Sequence, residues 1–442
     1  MFKPKIRPRL AAAALILLST AFFTAAQIAN RPVEDSYKEV SNYIRDRSRE
    51  LAGQGKRIDR DKRESLAQEQ KNLAKRFAAE ISARTDLKGL DIFYLAMLFN
   101  SAENDDKTLE TMKRFLAQYP ADTKGDRIQT ARNYVIVLSA RKKQFVEAEQ
   151  TYQAWLKGEP LLENQRPAIE QSLAVSYFKD GKYEEAIKYG QSAFELLKTL
   201  EAETFQEKRA KEQLYINLVE VLALSYRKNK NSDEALNILA EARARSFTLP
   251  SANLYRKVMD FVEGSGFSEK KLMQKVESYA AAEPAPELAI DEWLGQEPAK
   301  LENLRGKIVL LDFWATWCGP CIATFPRLRN WHKKFGEQDF MIIGVTQFYG
   351  EAAGKKMTPL QELDFLREFK QKHKLPYGFA VSKSGEASEK YGIGAYPTTV
   401  LLDRNGVVRY IGIGAGLEES DNLESMIKKL LKEDSRLASS QE

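Results

Sequence analysis

The sequence predicts a multidomain chain, in which an all-α region of helical hairpins (residues 31–282) precedes an α/β domain (residues 283–433). In the first region apolar residues recur at three- and four-residue spacing, and Gly and Pro are confined to turns. In the second, strand and helix patterns alternate, which is typical of helices packed on one mixed sheet. Residues 279–287 are small and proline-containing, so we predict a linker there, with the boundary near Glu283.

Length and composition indicate a soluble globular protein. The 442 residues suggest two or three domains, and the apolar fraction of 43% and charged fraction of 29% are ordinary. The formal net charge is +6, and four of the positive charges lie in the first nine residues. Because the remainder is close to balanced, we expect no nucleic-acid partner.

Residues 1–30 read as a targeting segment. Basic residues 3–9 precede an uncharged apolar run, residues 10–26, that ends in small residues, as a secretory signal does. The run can be extended to Ala29, roughly the length that spans a bilayer, so an uncleaved membrane anchor stays open. No cysteine follows the run, which excludes a lipoprotein anchor. Both interpretations place the rest of the chain outside the cytoplasm, either free in the periplasm or anchored to the membrane facing outward.

Weak self-similarity runs through the helical region. The clearest unit spans residues 168–197, where small and aromatic residues follow the order of a tetratricopeptide repeat: Leu173, Ala174, Tyr177, Gly181, Tyr183, Ala186, Tyr189 and Ala193. A second unit spans residues 222–242, and two poorer ones lie around 95–120 and 131–156. This resemblance implies a helical solenoid whose concave face binds a protein partner. Generic helical hairpins packed as a bundle are the alternative, and neither version carries a catalytic constellation.

The α/β domain is predicted from short apolar runs and amphipathic stretches. The elements, in chain order, are a buried strand at 308–313, a helix at 318–335, a strand at 340–346, a helix at 360–373, strands at 398–402 and 407–412 joined by a turn at 403–406, and a helix at 421–431. Residues 434–442 are expected to form a flexible tail. The polar stretch 347–359 is either a tolerated surface loop or a site of partner contact.

The only two cysteines, Cys318 and Cys321, form a C-x-x-C motif. Such a motif is a redox dithiol, half of a zinc site or a pair of core cysteines. Zinc needs two further ligands, and His332 and His373 are the only histidines of the chain, so we expect no metal and no cofactor. A helix that begins at or just after Cys318 lowers the pKa of that thiol through its dipole and its free N–H groups. We therefore assign Cys318 as the nucleophile and Cys321 as the resolving thiol of a mixed-disulfide exchange.

Three further residues are assigned from their chemistry. Pro320 lies in the first helical turn, where its missing N–H costs nothing, and Gly319 leaves the approach to the sulfurs open. Both are expected to contact substrate. Asp312 is a lone acid in an apolar strand, and burial raises the pKa of such a carboxyl, which suits it to exchange a proton with Cys321. The alternative is an exposed aspartate at the end of the strand.

Residues 311–321 (LDFWATWCGPC) resemble the active-site segment of thioredoxins. The wider stretch 284–433 resembles the extracytoplasmic TlpA/ResA-type thioredoxins of the redoxin family, on the evidence of residues 284–288, 304–307 and 390–399. The resemblance implies a thioredoxin fold in which Pro397 is a cis-proline facing the cysteines. It also implies that Tyr396 offers its backbone to a substrate chain, and that Trp317 flanks the sulfurs.

Two positions depart from that family. Extracytoplasmic members often carry Asn where this chain has Asp312, and ResA-type proteins tend to have Glu where it has Thr324. The second departure puts a role in cytochrome maturation in doubt.

Together these patterns predict a thiol–disulfide oxidoreductase that exchanges electrons with protein thiols or disulfides. A membrane electron donor or another redox partner is expected, together with a protein partner of the helical region. One alternative is a repeat scaffold whose thioredoxin-like domain serves only for contact. A peroxiredoxin-type peroxidase needs Pro-x-x-x-Thr-x-x-Cys, and Leu311 stands where that proline would be.

Overall fold

The structure is a computed structural model that describes residues 31–54, 59–248, 251–276 and 284–438. The predicted signal or anchor, residues 1–30, lies outside the described residues, as do residues 279–283 of the predicted linker. Within the described ranges, no helix has both the length and the apolar composition that crossing a membrane requires.

The chain divides into two compact units, with Glu163 ending the first and Asn164 beginning the second. The described part of the first unit folds as helices α1 to α6: Val33–Gly53, Arg60–Ser82, Leu90–Ser101, Asp105–Gln118, Gly125–Arg141 and Phe145–Leu156. Side chains fix where helices begin. Asp59 accepts a 2.8 Å hydrogen bond from the N–H of Lys62 at the start of α2, as an N-cap does.

The second unit opens with more helices, α7 to α12: Arg166–Lys179, Tyr183–Thr199, Phe205–Lys228, Ser232–Thr248, Ala252–Ser265 and Glu269–Val276. Thr204 and Glu207 form a reciprocal capping box at the start of α9. The predicted helical character is confirmed through both units. The tetratricopeptide assignment stays a prediction.

The rest of the second unit is built on one mixed sheet. Its strands are β1 Glu292–Leu294, β2 Ile308–Phe313, β3 Phe340–Gln347, β6 Gly378–Ser382, β7 Thr398–Leu402 and β8 Val408–Ile413, in the order β1-β6-β3-β2-β7-β8. Strand β2 lies parallel to β3 and antiparallel to β7, and all six of its residues are buried. A separate small hairpin pairs β4, Glu351–Ala352, with β5, Lys355–Lys356. The predicted α/β domain with a mixed sheet, a thioredoxin-like fold, is confirmed.

Four helices accompany the sheet: α13 Gly319–Phe335, α14 Pro359–Lys372, α15 Glu386–Lys390 and α16 Leu417–Ala438. Helix α16 is longer than predicted and includes the first part of the segment that we placed in a flexible tail. Strands β1 and β6 were not predicted. Strand β6 is buried throughout, so its short apolar run lacks the alternation that marks a half-exposed strand.

The two faces of β2 are covered by different parts of the chain. Leu310 lies in an apolar cluster with both cysteines, whereas Leu311 and Phe313 lie on the other face in a cluster that includes Ala252 of α11. Helix α11 therefore packs on the thioredoxin-like sheet. Because of this packing, the last helices of the helical region belong to the same compact unit as the sheet. The composition of the sequence instead predicts a domain boundary near Glu283.

Candidate active site

The two cysteines lie where β2 has ended and α13 begins. Cys318 is the N-cap of α13, and its Sγ accepts a 3.1 Å hydrogen bond from the N–H of Cys321. A disulfide joins the two residues, whose Cα atoms are 5.3 Å apart. Cys318 is 4% exposed and Cys321 is fully buried, so partners reach Cys318 first.

The predicted substrate-contacting residues beside the disulfide are open to solvent. Gly319 and Pro320 are both exposed, and a Cβ added at Gly319 would meet no atom within 4 Å. Pro320 lies in the first turn of α13, as predicted from its missing N–H. The hydroxyl of Thr324 donates a 2.7 Å hydrogen bond to the carbonyl of Cys321.

Asp312 is buried inside the sheet, with 1% of its surface exposed. The alternative of an exposed aspartate is therefore wrong. Neither carboxyl oxygen has a hydrogen-bond partner among the described residues, and desolvation by burial raises the pKa of this carboxyl from 3.8 to about 7. A group with this pKa exchanges protons near neutral pH, which is the property required of a general acid or base.

Asp312 lies between residues of two neighbouring strands and close to a buried phenol. It is paired in register with Gly344, which has no side chain, on β3, and with Thr399 on β7. By strand alternation it shares a face with Leu310, whose cluster contains Cys321. The phenol of Tyr377 is buried near Asp312. Burial raises the pKa of this phenol most, and the charge of Asp312 raises it further.

An aromatic rim, formed by Trp317, Tyr349 and Tyr396, lies next to the disulfide. The Trp317 ring meets Tyr349 edge-on at 5.7 Å and Tyr396 edge-on at 6.0 Å between centroids. Trp317 itself is 64% exposed, a large apolar surface for one residue beside a reactive disulfide. Aromatic side chains exposed in this way are typical of contacts with protein partners.

Tyr349 is a site residue that sequence reasoning missed. It belongs to the stretch 347–359, for which we left a surface loop and a partner contact open. The buried carboxylate of Glu362, on α14, accepts hydrogen bonds from the N–H groups of Tyr349, at 2.9 Å, and Gly350, at 3.0 Å. The stretch is therefore fixed at its start, where it contributes Tyr349 to the aromatic rim.

The segment before β7 carries the two residues that the resemblance singled out. The Tyr396–Pro397 peptide bond is cis, and the carbonyl of Pro397 accepts a 2.9 Å hydrogen bond from the N–H of Gly414. Tyr396 packs against the apolar cluster that contains both cysteines. The structure thus brings Cys318, Cys321, Trp317 and Tyr396 together.

The two histidines lie in the α13 and α14 region. The His373 ring packs 4.3 Å from the Phe369 ring, and burial lowers its pKa. Burial likewise lowers the pKa of His332. In the parts of the chain that the structure describes, no three His, Cys, Asp or Glu side chains come together as metal ligands do.

A C-x-x-C disulfide at the start of the helix that follows the central strand defines a thiol–disulfide oxidoreductase with a thioredoxin-like fold. The Redoxin family model matches residues 280–427. The chain is 30% identical over 130 residues to the thioredoxin-like protein YneN of Bacillus subtilis, covering 29% of this chain and 69% of that protein. The chain belongs to the redoxin family.

Two further comparisons concern the same region. The chain is 31% identical over 140 residues to the thiol-disulfide oxidoreductase ResA of Oceanobacillus iheyensis, covering 31% of this chain and 67% of that protein. The solved structure of a thiol-disulfide isomerase from Corynebacterium glutamicum is 25% identical, with a TM-score of 0.29, covering 34% of this chain and 96% of that chain.

The buried carboxyl predicts how stability depends on pH. The ordinary pKa of an aspartate is 3.8, whereas the pKa of Asp312 in the folded protein is about 7. Between these two pH values the folded chain holds a proton that the unfolded chain has lost. The contribution of Asp312 to folding stability therefore falls as pH rises from about 4 to about 7. Asp312→Asn removes the titrating carboxyl and with it this loss. The free energy of unfolding of the variant, relative to that of the parent, should therefore grow by on the order of 3 kcal/mol between pH 4 and pH 8.

Urea unfolding of the oxidised proteins at pH 4, 6 and 8 measures the effect. Asp364→Asn, at an exposed position of α14, serves as the control and should show no such growth. A constant difference between Asp312→Asn and the parent across this pH range would contradict the assignment.

Glu362 provides a second test. Glu362→Gln replaces one of the two acceptor oxygens with a donor, so one N–H of the pair at Tyr349 and Gly350 loses its charged partner. We expect a loss of roughly 1–3 kcal/mol in the free energy of unfolding, and faster hydrogen exchange at these two amides. Glu368→Gln, exposed on the same helix, is the matched control. Unchanged exchange at 349–350 would show that the carboxylate does not hold this segment.

Proposed function

We propose that this protein exchanges its Cys318–Cys321 dithiol and disulfide with a protein partner through a mixed disulfide. One observation supports the proposal above the others. The disulfide lies at the N-terminus of α13, and on the same sheet face β2 buries a carboxyl, Asp312, whose pKa is about 7. The helix end favours a thiolate at Cys318, and the carboxyl provides a proton acceptor for the second sulfur.

The exchange begins from the reduced dithiol. The Cys318 thiolate attacks one sulfur of a partner disulfide, the Cys318–partner bond forms, and the other partner sulfur leaves as a thiolate. Asp312 then takes the proton of the Cys321 thiol. The resulting thiolate attacks the Cys318 sulfur, the internal disulfide closes, and the second partner sulfur leaves. Two electrons pass from the dithiol to the partner, and a dithiol donor must return them.

We place partner binding at the aromatic rim and the Tyr396–Pro397 segment. The backbone there lies next to the exposed Trp317, so an incoming chain can pair with the backbone while it packs on the indole. Gly319 and Pro320 leave room for that chain above the sulfurs. In this arrangement the partner sulfur approaches Cys318, and Cys321 stays covered.

Two further parts of the proposal concern the rest of the chain. The helical region holds a protein partner, as its repeat-like sequence suggests, and the reaction takes place outside the cytoplasm. Support for the location is the basic, then apolar, residues 1–26. In that compartment the electrons come from a membrane donor or another redox partner.

Trapping the mixed disulfide tests the chemistry. In Cys321→Ser the resolving thiol is absent, so the first exchange stops at the Cys318–partner bond. Incubating this reduced variant with insulin should yield a covalent adduct that dithiothreitol releases, detectable by intact-mass spectrometry. The parent protein, with dithiothreitol as donor, should reduce insulin catalytically, and Cys318→Ser should lose at least about 100-fold of that rate.

Each control isolates one assignment. Adduct formation by Cys318→Ser would reverse the roles of the two cysteines. If the parent shows no insulin turnover, the enzymatic proposal fails and the scaffold alternative gains support.

Cross-linking locates the partner. The partner trapped on Cys321→Ser is treated with a lysine-reactive cross-linker. We expect cross-links from this partner to lysines of residues 33–248 as well as to lysines of the thioredoxin-like domain. The surface lysines of the helices supply the sites. An insulin adduct, which needs no helical contact, is the reference. Cross-links confined to residues 284–438 in both adducts would contradict a holding role for the helices.

A further inference from the structure

The segment that carries Tyr396 and Pro397 is bonded to a helix of the helical region. We call residues 391–397 the proline loop. The carbonyl of Tyr391 accepts a 3.1 Å hydrogen bond from the N–H of Ala252, and that of Gly392 accepts a 3.0 Å hydrogen bond from the N–H of Asn253. Both donors are at the start of α11, where N–H groups have no partner within the helix. The N-terminus of α11 therefore binds the start of the proline loop.

The fit between the two segments is close. Gly392 has a φ of +57°, and a Cβ added there would lie 2.5 Å from the Ser251 hydroxyl oxygen. A side chain at this position would strain the backbone and push α11 away. At Gly394 an added Cβ would lie 3.8 Å from side-chain atoms of both Asn253 and Arg256, so α11 borders the loop to within two residues of Tyr396.

A single carboxylate fixes the start of α11. Glu212, on α9, accepts a 2.5 Å hydrogen bond from the Ser251 hydroxyl on one oxygen and a 2.7 Å hydrogen bond from the Asn253 amide on the other. The Ser251 hydroxyl also accepts from the N–H of Leu254, at 3.1 Å, as the N-cap of α11. Hydrogen bonds to a carboxylate are stronger than those between neutral groups. Glu212 therefore holds the two residues on either side of Ala252.

We propose that Glu212 is a positioning residue for disulfide exchange. Through α11 it fixes the proline loop in the conformation that binds the partner's extended chain. The proposal rests on the proposed function in one respect, since it assumes that the partner binds at Tyr396 and Pro397. A loop ordered before binding loses less entropy when the partner arrives, so Glu212 should act on partner affinity and not on the chemistry of the sulfurs.

The kinetic test compares a protein disulfide with a small one. We expect Glu212→Ala to raise KM for insulin about tenfold with kcat within about twofold, and to leave the rate with 5,5′-dithiobis(2-nitrobenzoate) unchanged. Glu212→Gln keeps an acceptor for Asn253 and a donor for Ser251, and should recover most of the affinity. Glu220→Ala, which removes another half-buried carboxylate of α9, is the matched control and should behave as the parent.

Hydrogen exchange followed by mass spectrometry gives a readout independent of activity. In Glu212→Ala, peptides covering residues 251–256 and 391–397 should exchange faster, and those covering α13 should not. Gly392→Ala disturbs the same contact from the opposite side and should give the same KM increase and the same exchange pattern. Thermal unfolding identifies any variant that does not fold. The test is then decided by whether Glu212→Ala and Gly392→Ala give the same result.

The outcomes separate the two proposals. Faster exchange in both peptides with an unchanged KM for insulin would overturn the positioning role. Unchanged exchange in both variants would overturn it as well, because the contact would then not hold the loop. If the parent protein reduces no insulin, the proposed function fails, and the exchange experiment still decides whether Glu212 fixes the loop.

Discussion

The site depends on the way β2 passes into α13. The strand is buried on both faces and flanked on both edges, so its end is fixed, and the next helix begins with Cys318 as its cap. A capping position directs a side chain at the free N–H groups of the first turn. Here the capping atom is the sulfur of Cys318. The same geometry therefore begins the helix, stabilises negative charge on the sulfur, and places Cys321 one turn further in.

The buried carboxyl of Asp312 opposes stability, and in the proposed exchange it serves as the proton acceptor of Cys321. A charged group without a partner is costly inside a sheet, and the chain accommodates Asp312 by keeping it neutral over much of the acidic range. A hydrogen-bond donor beside it would stabilise the fold and lower its pKa, and the carboxyl would then no longer exchange protons near neutral pH. The absence of a side chain at Gly344, in register with Asp312, is consistent with this requirement.

Much of the redox site could be predicted because its parts are local in sequence. The C-x-x-C spacing, the strand before it and the helix after it lie within residues 308–335, and the burial of Asp312 follows from its apolar neighbours. Tyr349 could not be found in this way. Its place beside Trp317 depends on Glu362, thirteen residues later, which looks like any acid on an amphipathic helix until its burial is known.

The contact between α11 and the proline loop was also beyond sequence reasoning, for a different reason. Composition marks a linker near Glu283, and a linker suggests two domains that act separately. Yet the first N–H groups of α11 bond to carbonyls of the proline loop, and Ala252 is buried in the same cluster as Tyr391 and Phe313 of the sheet. Hydrogen bonds between backbone groups so far apart in the sequence cannot be predicted from composition or periodicity. Because α11 reaches the loop that carries Pro397, this helix belongs physically to the surroundings of the disulfide.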